Sequence, residues 1–218
     1  MVATSFNHHL CYVTLLGNVV AKPDIRYLAN PIVPIAEFVI ATHKKWLDKK
    51  TNQMREWTSF HTVKMIGDAV EKSLIHAGKG DLILIKGHLV DSQKSNRQIV
   101  HATYACAYKK GFAPSMNHLH ISGKIVNQVK LVTTETGSNL AEFVLNSQFE
   151  AYSPIYQQTR KLSLERTVHV WGKQAQYIAE HAAADKDVVI DGSLSYLNNN
   201  SNIQLIDAQQ LTILNKYG

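Results

Sequence analysis

Two tryptophans and five basic side chains crowd into "HKKWLDKKTNQMREW", His43 to Trp57. The basic residues are Lys44, Lys45, Lys49, Lys50 and Arg55, and the indoles are Trp46 and Trp57. A packed core excludes that density of charge, and a merely solvated loop has no use for two indoles. Indole faces stack on unpaired nucleobases, at about 1–3 kcal/mol per base. Neighbouring cations neutralise phosphates and release their counterions. The ligand that uses both is single-stranded nucleic acid, because a duplex hides its base faces. Stacking is indifferent to the sugar, so RNA stays open beside DNA. The competing arrangement has the indoles packed beneath a hairpin that the lysines only solvate. Phe60 and Tyr104 lie in alternating stretches where core packing and base contact are both open. Arg26, Lys64, Lys94 and Arg97 complete the set of candidate contacts.

The charge distribution points the same way. Residues 1–110 carry 15 lysines and arginines against 8 carboxylates, a net of +7, whereas residues 111–218 carry 8 against 9, a net of −1. A basic half beside a neutral one implies a polyanionic partner held mainly by one region. The apolar share of 45% suffices for a buried core. No apolar run is long enough for a membrane span, and "MVATSFNHHLCYV" has none of the sections of a signal peptide, so a cytoplasmic protein is expected. Cys11 and Cys106 are too few for a disulfide framework or a four-cysteine zinc site. His8-His9 and His118-x-His120 lack cysteine or carboxylate partners at ligand spacing, so neither metal nor cofactor is expected. No nucleophile–base constellation or phosphate-cradling glycine loop is present, which argues against an enzyme.

The chain repeats itself. "LLGNVV" (Leu15–Val20) matches "ISGKIV" (Ile121–Val126), "AEFVI" (Ala36–Ile40) matches "AEFVL" (Ala141–Leu145), "TVKMIG" matches "TVHVWG", and "LIKGHL" matches "VIDGSL". Ala36 to Gly67 and Ala141 to Gly172 are both 31 residues, and Gly67 to Gly87 and Gly172 to Gly192 are both 20. A period near 105 residues means two copies of one whole domain, 1–112 and 113–218, joined around "KKGFAPSMN". In copy one, alternating runs predict strands near His9–Val20, Ile35–Thr42, Trp57–Ile66, Asp81–Asp91 and Gln98–Ala107. Ala69, Val70, Leu74 and Ala77 predict one helix between the third and fourth. Five strands with a single helix in that place make the expected fold all-β: tandem OB-folds, each a five-stranded Greek-key barrel. Gly17, Gly67 and Gly87 then fall where a small barrel must bend.

The opening "NHHLCYVTLLGNVVAKPDIRY" resembles that of bacterial single-stranded DNA-binding proteins, with Leu16-Gly17-Asn18 and Pro23-Asp24-Ile25-Arg26-Tyr27 at the family's L-x-G-N and P-E-x-R-Y. "AEFVIATHKKW" is similar to the family's A-x-F-x-x-A-T-x-x-x-W, and "FHTVKMIG" to its W-H-x-V-x-x-F-G. The resemblance implies that Trp46 stacks on a base, that Phe60 stands for a second stacking tryptophan, and that Lys94 replaces an aromatic. In copy two, Ala151 replaces Trp46, Glu165 stands at the Phe60 position and Trp171 at the Ile66 position. The function implied is a non-enzymatic protein that coats single-stranded DNA in replication, recombination or plasmid transfer. The alternative is an accessory module of a primosome or relaxosome, with DNA contact secondary and replication or conjugation proteins as partners. A homodimer presenting four OB-folds is implied, with copy two extending the track or building the interface through Trp171.

Overall fold

Along β1 (Cys11–Val19), Cys11, Val13, Leu15, Gly17 and Val19 are buried while Tyr12, Thr14, Leu16 and Asn18 between them are less so. That period of two follows from side chains alternating across a pleated strand, and it marks one barrel wall with a core on one side. The computed structural model describes residues 8–48, 51–92, 97–111, 113–135, 137–197 and 203–215. After β1, copy one continues with β2 (Asp24–Ala29), β3 (Ile32–Asp48), β4 (Gln53–Ile66), helix α1 (Ala69–Leu74), β5 (Leu82–Ser92) and β6 (Arg97–Tyr108). Copy two repeats the order with β7 (Met116–Ile125), β8 (Lys130–Thr133), β9 (Asn139–Ser153), β10 (Gln158–Trp171), α2 (Lys173–His181), β11 (Asp187–Tyr196) and β12 (Gln204–Leu214).

In copy one the strands neighbour each other in the order β2-β3-β4-β6-β5-β1, and β1 returns to β3 through Asn18↔Ala41 and Val19↔Ile40. Five strands therefore close a barrel, and β2 is a sixth that lies along the first part of β3. Strand β2 leaves no alternation in the sequence, because "DIRYLA" buries no residue and carries no apolar stripe. The β4–β6 pair is parallel, Val63 opposite Val100. With β6 between them, β4 and β5 cannot be joined by a hairpin, so the chain must cross over. Helix α1 makes that crossing and buries Val70 and Leu74. It ends at Leu74, shorter than the spacing predicted, and Ala77 is buried from the turn that follows. Copy two has the same closure, with β10 parallel to β12 and β7 pairing β9. The fold is a tandem of OB barrels.

The glycines explain the closure. A Cβ on Gly17 would stand 2.2 Å from the carbonyl oxygen of Ala41, and one on Gly87 2.0 Å from that of His101. Any side chain there would push apart two strands that must touch. Gly123 and Gly192 hold the same positions in copy two, 2.3 Å and 2.4 Å from the carbonyls of Asn146 and Asp207.

The chain divides into two compact units. One holds Val13–Asn117 with Pro154–Gln157, and the other holds Met1–Tyr12, His118–Ser153 and Gln158–Gly218. Each thus includes the lead-in of the other copy. In the second unit the His9 amide donates to the Gln148 carbonyl at 2.8 Å, and the Ser122 amide to the Leu10 carbonyl at 3.0 Å. In the first, the His43 amide donates to Ser115 Oγ at 3.0 Å.

Three histidines in the first unit are neutral because burial denies them a charge. The pKa of His61 falls from 6.5 to about 3 by desolvation. His88 and His101, with ring centroids 5.0 Å apart, fall from 6.5 to about 4. Burial is the main cause for both, helped by their mutual repulsion at His88 and by Lys64 at His101. The unfolded chain therefore takes up these protons first. Stability is whole above pH 6.5 and is lost as the pH falls toward 4. The thermal midpoint should be level from pH 8 to 7 and drop between pH 6.5 and 4, with a shallower drop in His88→Gln. A level midpoint down to pH 4 would contradict buried neutral imidazoles.

Candidate nucleic-acid interface

Strands β3 and β4 do not stop at the barrel rim. Their ladder runs from Ile35↔Ile66 to Asp48↔Gln53, so most of the tryptophan-bearing stretch is paired strand rather than a loop between strands. Residues opposite one another in an antiparallel ladder share a face, and alternate residues share it along each strand. One face therefore carries Ile40 and His61, Thr42 and Ser59, Lys44 and Trp57, then Trp46 and Arg55. The first of these pairs is buried in the barrel, and the last two are exposed beyond it. Thr42 Oγ1 and His61 Nε2 share a buried hydrogen bond of 2.8 Å at the root of the ribbon.

Trp46 is 41% exposed and Trp57 45%. Both indoles present open surface, and the ladder sets them beside Lys44 and Arg55. The opposite face carries Ala41 with Phe60, His43 with Thr58, Lys45 with Glu56, and Leu47 with Met54. Phe60 is 47% exposed, but it looks away from the two tryptophans. The structure brings together Trp46, Trp57, Lys44 and Arg55, and it sets Phe60 and Lys45 apart from them. Lys49, Lys50 and Lys94 lie outside the described residues.

The remaining candidates stand in ion pairs or beside them. Lys45 Nζ is 3.6 Å from Glu56 Oε2, and Arg55 Nε donates to Asp48 Oδ2 at 3.0 Å. Arg97 forks onto Glu37 at 2.7 and 3.1 Å, and Arg26 pairs with Asp24. Lys64 stands between Glu37 and His101 on the outward face of β4. Counting positive residues in the hairpin overlooked Asp48 and Glu56. Exposed pairs of this kind contribute only about 0–1 kcal/mol, so an incoming phosphate can replace the carboxylate at little cost.

Copy two is built differently at each of these points. Ala151 faces Arg160 where copy one has Trp46 and Arg55, and Asn146 Nδ2 donates to Glu165 Oε1 at 3.3 Å. His61 and Thr42 give way to Arg166 and Ser147, both buried, and Arg166 Nε donates to Gln204 Oε1 at 3.2 Å. Trp171 is 47% exposed and stands edge-on to His169, which lies 3.2 Å from Glu142. Tyr152 is 58% exposed in the second unit, with Arg160 and Lys161 on the paired strand. The signal for these residues was present in "EAYSPIYQQTRK", which mixes aromatic and basic residues at hairpin length. A search for tryptophan alone misses it.

Two comparisons with known proteins bear on this arrangement. The sequence pattern of the single-strand binding protein family matches residues 10–106 and again residues 116–212. The chain belongs to that family, whose members are non-enzymatic DNA-binding proteins. The fold is similar to that of the single-stranded DNA binding protein from Thermus aquaticus. A deletion mutant of that protein aligns with a TM-score of 0.79 at 21% identity, covering 97% of this chain and 98% of the other. The wild-type structure gives 0.77 at 19% identity, covering 97% and 96%. At that identity the likeness concerns the fold.

The geometry separates the aromatic residues by role. Trp46→Ala or Trp57→Ala should weaken oligo-dT binding by about 1–3 kcal/mol each, with little change in thermal stability because both side chains stand outside the core. Phe60→Ala should cost less, since it looks away from that face. Equilibrium titrations of the three variants, with melting curves, decide the matter. A large stability loss at Trp46 with unchanged affinity would show that the indole is a packing residue.

Proposed function

We propose that this protein coats and protects single-stranded DNA during replication, recombination or plasmid transfer, and that copy one is the main binding barrel. The observation that carries the reading is the exposed ribbon face on which Lys44, Trp46, Arg55 and Trp57 stand together. Bases stack on the two indoles while the cations beside them neutralise phosphates. The reading places the protein in the cytoplasm as a homodimer with four barrels, as the resemblance to two-barrel family members suggests. Copy two extends the track weakly or builds the oligomer contact. Glu165 and Ala151 support that division: the first sets a carboxylate, and the second no π face, where copy one has aromatic residues.

Quenching of tryptophan fluorescence by oligo-dT, repeated over a range of salt, tests the mode of binding. Contact by five basic groups of the hairpin gives log K falling with log salt at a slope of about −3.5, from about −0.7 per phosphate on single strands. Blunt duplex should bind far more weakly, and equal affinity for duplex would sink the proposal.

The division between copies is tested in the full chain, because cutting at residue 112 would separate each compact unit from its borrowed lead-in. Trp46→Ala should cost several-fold more affinity than Tyr152→Ala or Trp171→Ala. Equal losses would mean that the two barrels share the load.

A further inference from the structure

At the end of copy one, a cavity of about 540 Å³ opens between α1 with its following turn and the last residues of β6. Its walls include Lys72, Ile75, His76, Tyr108, Lys109 and Lys110. Among the described residues, no carboxylate stands in an ion pair with any of the three lysines. Asp81 is the one acidic residue of the lining, and its Oδ2 already accepts the Gly78 amide at 2.8 Å. The side chains of Tyr108 and Ile75 are half exposed. A concave, cationic site with apolar and aromatic walls suits a ligand with phosphates on one side and a flat ring on the other.

The chain connects this cavity to the ribbon. Lys110 lies over Gly80, and the next residue, Gly111, accepts a hydrogen bond from Asn18 Nδ2 at 3.3 Å. Asn18 pairs with Ala41 at the closure of the barrel. Four residues further on, Ser115 Oγ accepts the His43 amide at the foot of the ribbon. Four steps of extended chain span at most about 14 Å. Gly111, next to the cavity's Lys110, and Ser115, at the foot of the tryptophan ribbon, are thus no more than that distance apart.

We propose that the cavity is a second contact for the same single strand, in which Lys72, Lys109 and Lys110 take backbone phosphates and Tyr108 stacks on a base. The inference rests on the ribbon being the first contact. It assigns the strand a route: off the ribbon at His43, past Ser115 and Gly111, and into the space beside α1. An acidic peptide would meet the same charges. The continuity with the ribbon and the aromatic wall favour the nucleic acid.

The test is a length series of oligo-dT titrated against the full-length protein, the Lys109→Ala/Lys110→Ala double variant and Trp46→Ala. The double variant should match wild type on the shortest oligomers that bind and fall behind on longer ones. On those longer oligomers its salt slope should be less negative by about 1.4, the share of two phosphates. Lys72→Glu should show the same dependence on length, and it keeps the test readable if loss of Lys110 disturbs Gly80. Trp46→Ala should weaken binding at every length. A double variant equal to wild type at all lengths, or weaker by one factor at all lengths, overturns the cavity contact. A Trp46→Ala variant with no effect sinks the ribbon reading instead. Binding of poly-glutamate that disappears in the double variant, with long oligo-dT still bound as by wild type, would assign the cavity to an acidic protein and overturn the proposal.

Discussion

The backbone hydrogen bonds between β3 and β4 run unbroken from Ile35 opposite Ile66 to Asp48 opposite Gln53. A two-stranded ribbon standing alone in water is marginal at best. This one is held because its lower half is barrel wall: Phe38, Ile40, Val63 and Met65 are buried there. The buried half also sets the register. A slip of one residue would turn Ile40 outward and carry every side chain of that strand to the other face. Core packing therefore decides, about 20 Å away at six residues of strand, that Trp46 and Trp57 share a face with Lys44 and Arg55. The ribbon face is an extension of the core's own alternation.

The two copies show which parts of that arrangement are tied to the backbone and which are not. Gly17 and Gly87 have counterparts in Gly123 and Gly192, each with a carbonyl oxygen where a Cβ would go. The strand order and the parallel closing pair also recur. Side chains on the ribbon have no such neighbour, so Trp46 can become Ala151 without any change in the fold. Even the polar root differs, with neutral His61 and Thr42 in one copy and Arg166 and Ser147 in the other. Steric closure holds the skeleton constant, and solvent leaves the ribbon free to change its chemistry.

Electrostatics adds a second distinction. The net charge of +7 in the first half does not sit where a residue count would put it. Arg26, Arg97, Lys45 and Arg55 each have a carboxylate at ion-pair distance, and those carboxylates come from β2, β3 and β4 themselves. Such pairs orient side chains more than they stabilise the fold. Among the described residues, Lys44 on the ribbon and Lys72, Lys109 and Lys110 around the cavity beside α1 are among the cations that stand in no ion pair.

Internal repetition, strand alternation and the place of the single helix were legible in the sequence because each is a local or periodic property. The tandem barrel follows from them, and so does the expectation of aromatic and basic residues meeting single-stranded DNA. Strand β2 was not legible, since an exposed edge strand leaves no apolar period. Phe60 parted from the tryptophans for a reason no motif contains: Trp57 and Phe60 are three apart in one strand, an odd interval, so the pleat sends them to opposite faces. Asp48 and Glu56 sat in plain view, yet only the ladder showed that they reach Arg55 and Lys45. The exchange of lead-in segments between units and the cavity formed by α1 and the end of β6 join residues 30 or more positions apart. Composition and spacing set the fold and the class of ligand, because burial and periodicity act along the chain. The faces and ion pairs of the ribbon were decided by tertiary structure, because they depend on which strands closure brings side by side.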